Sequence, residues 1–178
     1  MIYLVRHGRT DWNVARKVQG RTDIPLNDEG ISQALSTREK LSGVKFDAVF
    51  ASPLIRARET ARLISGIEPT TDERIIERDF GDAEGSVVAD ATKHWGFWEY
   101  ATRKEKVLNG ESLQETFDRA NDFLTEIMRK YRGKNVLIVS HGGTLRALLA
   151  YFGGVPEDGD FFGSYKAKNC EIFKFANE

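Results

Sequence analysis

Two short apolar runs, far apart in the chain, end in the same way. Met1 to Val5 stops at Arg6-His7-Gly8-Arg9-Thr10, and Val136 to Val139 stops at Ser140-His141-Gly142-Gly143-Thr144. Each run has the length and the residue types of a buried strand. Each therefore delivers an imidazole and a flexible backbone to one edge of a sheet. The chain has 3 histidines in all, and two of them sit in this setting.

Strand and helix signals alternate between and around these runs. Arg9 to Leu26 is a polar, glycine-punctuated loop, and a connection that long without periodicity is often functional. Asn27 or Asp28 can cap a helix reaching about Leu41, with Ile31, Ala34, Leu35 and Leu41 close to one face and Gly43 as its stop. Phe46 to Ala51 reads as a second strand. Ser52-Pro53 then offers an N-cap and a proline for the first helical position, with Leu54, Ala57, Ala61 and Ile64 as the buried stripe of the helix that follows. Arg56 and Arg58 lie off that stripe near the positive end of the helix, where a cation is disfavoured, so at least one of them needs an outside partner. Arg58 and Arg62 read as solvated.

Glu73 to Ile76 is a candidate short strand, and Glu77 to Gly85 is a loop dense in acids. Ser112 with Glu115 makes a capping box, after which Leu113, Phe117, Ala120, Leu124, Ile127 and Tyr131 trace one face of a helix ending near Gly133. The strand to Val139 leads into a helix from about Thr144 to Tyr151, and Cys170 to Phe175 reads as a last strand. The alternation predicts an α/β fold, a three-layer α/β/α sandwich with a mainly parallel central sheet. At 178 residues one domain spanning 1–178 is expected. Residues 86–109, with the aromatic cluster His94 to Tyr100 and the basic Arg103, Lys104 and Lys106, are expected to form a small cap over the active edge, packing on it more than touching substrate.

A net charge of −1 gives no general attraction to nucleic acid or to an anionic membrane, so any anion site must be a local cluster of arginines. No signal peptide or run long enough to span a bilayer is visible, which points to the cytoplasm. The lone Cys170 suits a reducing compartment and reads as a small buried apolar residue. No feature selects an oligomeric state.

In an open α/β sheet, ligands bind beyond the carboxyl ends of the strands. His7 and His141 meet there if their strands are adjacent. Gly8, Gly142 and Gly143 permit close backbone approach, and the helix after His141 points N–H groups at the same place, which favours an anion. Arg6 and Arg56 can add bidentate forks for anionic oxygens, so a phosphoryl group is the expected guest. A neutral imidazole attacks phosphorus without first losing a proton, and the rest of the catalysis is positioning and charge stabilisation. No metal is needed for this, and the acids show no metal-ligand spacing. A carboxylic acid within Glu77 to Glu84 is the natural proton donor for the leaving oxygen.

At these residues the chain resembles the histidine phosphatase superfamily, also called phosphoglycerate mutase-like. The resemblance is carried in order by Leu4 to Asn13, Gly20 to Leu26, Ser52 to Ala57, Glu77 to Gly85, Gly110-Glu111-Ser112 and Val139 to Gly143. It implies that His7 is the phosphorylated nucleophile, that Arg6, Arg56 and His141 form the phosphate pocket, and that Glu77 is the proton donor and later the base for water. Glu84 also belongs to the family pattern and is the lesser candidate for donor. Asn13 and Thr22 fall where the family contacts phosphate or substrate. Arg21 is added on charge alone, and Gly142 on its backbone. The expected function is hydrolysis of phosphate monoesters of small metabolites, with no cofactor. The alternatives are a phosphoglycerate mutase, an α-ribazole phosphatase and, outside enzymes, an inert phosphate-binding module. The chain looks short for a typical mutase, and retention of the five central residues speaks against an inert module.

Overall fold

β1 (Ile2–Arg6) is buried along almost its whole length and is an inner strand of the sheet. The computed structural model describes residues 1–90, 106, 108–155 and 161–178. Within them, β1 is joined by β2 (Ala48–Ala51), β3 (Thr70–Thr71), β4 (Val136–Ser140) and β5 (Ile172–Phe175), in the spatial order β3-β2-β4-β1-β5. All neighbours are parallel except β5, which runs antiparallel to β1. The helices are α1 (Asp11–Val14), α2 (Asp28–Lys40), α3 (Ile55–Ser65), α4 (Leu113–Lys130), α5 (Gly142–Gly153) and α6 (Phe161–Ser164).

The period-two alternation of a strand sorts the core into two layers. Ile2, Leu4, Phe50, Val136 and Ile138 face α4 and α5, meeting Leu113, Phe123, Leu124 and Leu148. Tyr3, Val5, Val49, Leu137 and Val139 face the other way, against Ala34 and Leu41 of α2 and Ala57, Ala61 and Ile64 of α3. A sheet covered on both faces tolerates continuous apolar strands, which is why β1 and β4 carry so little polarity. The three-layer sandwich with a mainly parallel sheet is therefore present.

Several local expectations need correction. Leu35 is 42% exposed, and Thr37 takes the buried place on α2, where its hydroxyl donates to the Gln33 carbonyl. The helix after β2 begins at Ile55, not at Pro53, because Asp23 from the long loop accepts the Ile55 N–H at 2.8 Å and supplies the cap that Ser52 was expected to give. Glu73–Ile75 is a 3₁₀ turn capped by Asp72, and the short strand is Thr70–Thr71. α5 starts at Gly142, two residues earlier than expected, with His141 as its N-cap. The Ser112–Glu115 capping box of α4 forms as expected. Most of the expected cap, including the aromatic cluster 94–100 and residues 103 and 104, lies outside the described residues. Lys106 pairs with Glu115 at 2.8 Å.

Candidate active site

The parallel pairing of β1 with β4 sets Arg6 opposite Ser140, and one residue further on the His7 N–H donates to the Ser140 carbonyl at 2.9 Å. The two histidines consequently leave adjacent strands side by side, with ring centroids 5.1 Å apart. Their hydrogen bonds fix different tautomers. His7 Nδ1 lies 2.7 Å from the Gly8 carbonyl, which can only accept, so Nδ1 carries the proton and Nε2 keeps its lone pair. His141 Nδ1 instead accepts from Arg56 Nε at 3.2 Å, which puts its proton on Nε2. That His141 Nε2 is buried with no hydrogen-bond partner among the described residues.

Arg56 is completely buried. Beyond His141 it donates to the carbonyls of Thr22 at 2.8 Å and Gly20 at 2.7 Å. These acceptors are the outside partners that a cation at the start of a helix requires. The 20–22 loop is in turn held by Glu84, whose carboxylate accepts the Arg21 and Thr22 N–H groups and the Thr22 hydroxyl. Gly20 has a φ of +51°, and a side chain there would collide with Glu84, so glycine is required. Arg6 donates to the Ala167 carbonyl at 2.8 Å, while its Nε is a second buried donor without a partner among the described residues. An unmade buried hydrogen bond is costly and calls for an explanation. Arg6 shares the wall of one pocket with His7, and the His141 ring, itself outside the lining, lies 5.1 Å from that of His7, so an anion with several acceptor oxygens bound at His7 is the candidate partner for both donors.

The pocket has a volume of about 310 Å³, and its lining includes Arg6, His7, Asn13, Gly20, Arg56, Glu77, Gly142 and Gly143. Glu77 is buried, and its oxygens accept N–H bonds from Arg78 at 2.8 Å and from Gly143 and Thr144 at 3.0 Å each. The first N–H groups of α5, expected to hold the guest anion, are thus mostly engaged by a carboxylate of the protein itself. Gly142 remains in the pocket wall. Gly8 also serves a different purpose from the one expected. A Cβ there would come within 2.5 Å of the Gly30 carbonyl oxygen, so its smallness lets the turn after β1 pack on α2.

Asn13 is in the pocket wall, its amide oxygen accepting from the Thr10 N–H at 3.1 Å. Thr22 and Arg21 are not brought into it. The Thr22 side chain is committed to Glu84, and only its carbonyl serves the site, through Arg56. Arg21 turns toward Glu111 and Asp79, at 3.4 and 3.8 Å, because those carboxylates attract it away from the arginine-rich recess. Glu84 is a scaffold for the loop and has no place in the pocket wall.

Asn169 went unnoticed in the sequence. Its amide donates to the His7 carbonyl at 2.9 Å and to the Asn13 side chain at 3.4 Å, from 162 and 156 residues away in the chain. Asn169→Ala should lower kcat by about tenfold with KM moved less, since small misplacement of a reacting group is costly. Asn169→Asp keeps the shape but not the donor and should match it in steady-state assays. Wild-type kcat in the Asp variant would remove the positioning role.

Burial, reinforced by the charges of Arg56 and Arg6, pushes both imidazoles well below their ordinary range. Burial also pushes Arg56 down to about 10, which leaves it charged at neutral pH. The sign of the pH effect follows. Unfolded histidines take up protons near pH ~6.5, and the folded ones do not until the pH is well lower. Within that window the unfolded chain binds more protons, so stability is full above it and declines as pH falls. The urea midpoint of phosphate-free protein should drop between pH 7 and 5, and less so in a His7→Ala variant.

The chain is similar to known proteins over most of its length. Residues 2–176 match the family model described as "Histidine phosphatase superfamily (branch 1)". The chain is 41% identical over 160 residues to the "Uncharacterized phosphatase PhoE" of Bacillus subtilis (strain 168), covering 88% of this chain and 79% of the relative. It is 33% identical over 178 residues to the "Probable phosphoglycerate mutase GpmB" of Salmonella paratyphi A, covering 96% and 82%. Among solved structures, phosphoserine phosphatase from Entamoeba histolytica in complex with 3-phosphoglyceric acid superposes with a TM-score of 0.85 at 27% identity, over 96% of this chain and 87% of the other.

Proposed function

Given that the chain belongs to the histidine phosphatase superfamily, we propose that it hydrolyses phosphate monoesters of small metabolites through a phosphohistidine on His7, without a metal. The observation that carries this reading is the pair of buried, partnerless donors, Arg6 Nε and His141 Nε2, beside an imidazole whose only proton is held by Gly8. They fit the oxygens of a phosphoryl group at the nucleophile, where fixed donors stabilise developing charge without reorganising.

In the first step His7 Nε2 attacks phosphorus as the P–O bond to the alcohol breaks. The bonding pair stays on the leaving oxygen, which takes a proton from Glu77. In the second step water attacks phosphorus and gives its proton to Glu77, the P–N bond breaks, and its pair returns to Nε2. Arg6, Arg56 and His141 hold the transferring oxygens throughout. Glu77 lines the pocket, and the N–H bonds from Arg78, Gly143 and Thr144 hold its carboxyl group in place for both proton transfers.

The protein is read as one domain working in the cytoplasm. Free, buried Cys170 suits a reducing setting, and among the described residues no helix is long and apolar enough to cross a membrane. Complexes of a relative with phosphoserine and with 3-phosphoglyceric acid support a small phosphorylated metabolite as its substrate. The likeness to GpmB keeps the mutase as the second reading.

The test is a screen of phosphorylated metabolites for phosphate release, with and without a chelator. Release from several compounds, unchanged by the chelator, is expected. Isomerisation of 3-phosphoglycerate in the presence of its bisphosphate, with little free phosphate, would favour the mutase instead.

A further inference from the structure

Glu77 stands on a stretch of backbone that belongs to no helix or strand, between the 3₁₀ turns Glu73–Ile75 and Gly81–Ala83. Backbone groups outside regular structure still need partners, and here side chains supply them. Arg119 Nη1 donates to the carbonyls of Arg74 at 2.8 Å and Ile76 at 2.7 Å. The Ser140 hydroxyl donates to the Ile75 carbonyl at 2.9 Å, and the Thr144 hydroxyl to that of Ile76 at 2.6 Å. The segment leading into Glu77 is therefore held from outside, residue by residue.

Arg119 lies in the second turn of α4, and its guanidinium is itself fixed by Glu111 through two parallel bonds, Nε to Oε1 at 2.6 Å and Nη2 to Oε2 at 2.8 Å. Such a bidentate pair sets the plane of the guanidinium as well as its position. The two side chains are only 16% and 10% exposed. Glu111 also grips the far side of Glu77. Its carboxylate accepts the Asp79 N–H at 3.3 Å, its carbonyl accepts from Arg78 Nε at 2.9 Å, and its own N–H donates to the Asp79 carbonyl at 2.8 Å. Burying an ion pair is weak evidence for stability, because desolvation offsets much of the attraction. What this pair supplies is position, and neither partner lines the pocket.

We propose that Arg119 and Glu111 are positioning residues for Glu77, a clamp that fixes the backbone on both sides of the proton donor from outside the pocket. This rests on the reading of Glu77 as the donor. The N–H bonds from Arg78, Gly143 and Thr144 orient the carboxyl group, while the clamp sets where the residue is rooted. Both are needed for a proton to reach the leaving oxygen, since a shift of about 1 Å in a reacting group can cost about a hundredfold in rate.

The experiment compares two alkyl esters, glycerol 3-phosphate and phosphoserine, with p-nitrophenyl phosphate, whose leaving group needs no proton. Arg119→Lys keeps a cation opposite Glu111 but loses the planar fork that reaches the carboxylate and both carbonyls. Its kcat on the alkyl esters should fall by about tenfold to a hundredfold, with KM and the rate on p-nitrophenyl phosphate within about threefold of wild type. The double variant Arg119→Gln, Glu111→Gln leaves no buried charge uncompensated and should show the same selective loss. The ratio of alkyl to aryl rates within one preparation does not depend on how much of it is folded. Placed on top of Glu77→Gln, Arg119→Lys should cost less than about threefold more, because residues that act through one group are not additive. Equal losses on alkyl and aryl esters, unchanged alkyl rates in both variants, or a full loss persisting on top of Glu77→Gln would overturn the clamp. Glu77→Gln leaves Arg119 and Glu111 in place, so if that variant alone slowed both ester types equally, the donor assignment would fall, and the clamp with it. A wild type that releases no phosphate from either alkyl ester would overturn the phosphatase reading, and the clamp with it.

Discussion

Replacing His7 by alanine is expected to lower kcat by about 10⁴-fold or more, whichever phosphate monoester is used, because loss of a covalent nucleophile removes the reaction path itself. Binding should suffer far less. Arg56 keeps its bonds to Gly20, Thr22 and His141, and Arg6 keeps its bond to Ala167, so the cradle stays assembled around an empty nucleophile position. Affinity for inorganic phosphate, measured by calorimetry, should therefore stay within about tenfold of wild type, since the two guanidinium groups supply most of the charge-assisted bonds. Thermal melting gives the folding control. A His7→Ala protein that binds phosphate, melts normally and still turns over at the wild-type rate would exclude His7 as the nucleophile.

Glu77→Gln should separate acid catalysis from structure. The expected loss is about 10²- to 10⁴-fold in kcat for alkyl phosphates, whose leaving oxygen needs a proton, and much less for p-nitrophenyl phosphate, whose leaving group does not. The substitution also carries a structural cost. Glu77 accepts three backbone N–H bonds, and a glutamine amide turns a donor toward one of them. A destabilisation of about 1–3 kcal/mol is expected for the lost buried bond. Only the dependence on leaving group therefore reports on chemistry. Equal losses on both substrate types would show that Glu77 acts solely by holding the start of α5 in place.

How far the site could be read from sequence depended on whether its contacts are local. His7 and His141 were visible because each follows directly on an apolar strand, and parallel pairing of those strands does the rest. Arg56 could be flagged as anomalous from its place on the helix, but its acceptors lie 34 to 85 residues away, beyond any periodicity. The same limit explains Asn169, which reaches His7 from the far end of the chain. Arg21 was chosen on charge, yet charge also responds to acids, and Glu111 and Asp79 hold it outside the pocket. Asp23 capping α3 shows a tertiary contact overriding a local Ser-Pro signal. At residues 73–76 the paired isoleucines resemble a strand, but the Asp72 side chain bonds the Arg74 N–H and closes a 3₁₀ turn.

Trapping the covalent intermediate is the sharpest test of His7 as the nucleophile. Protein mixed with a good substrate, quenched in alkaline denaturant within milliseconds and digested for mass spectrometry should carry a phosphoryl group on the peptide containing His7. The label should be stable to base, labile to acid and absent from His7→Ala. Rapid turnover with no label on His7, or a label on another residue that persists in His7→Ala, would contradict it.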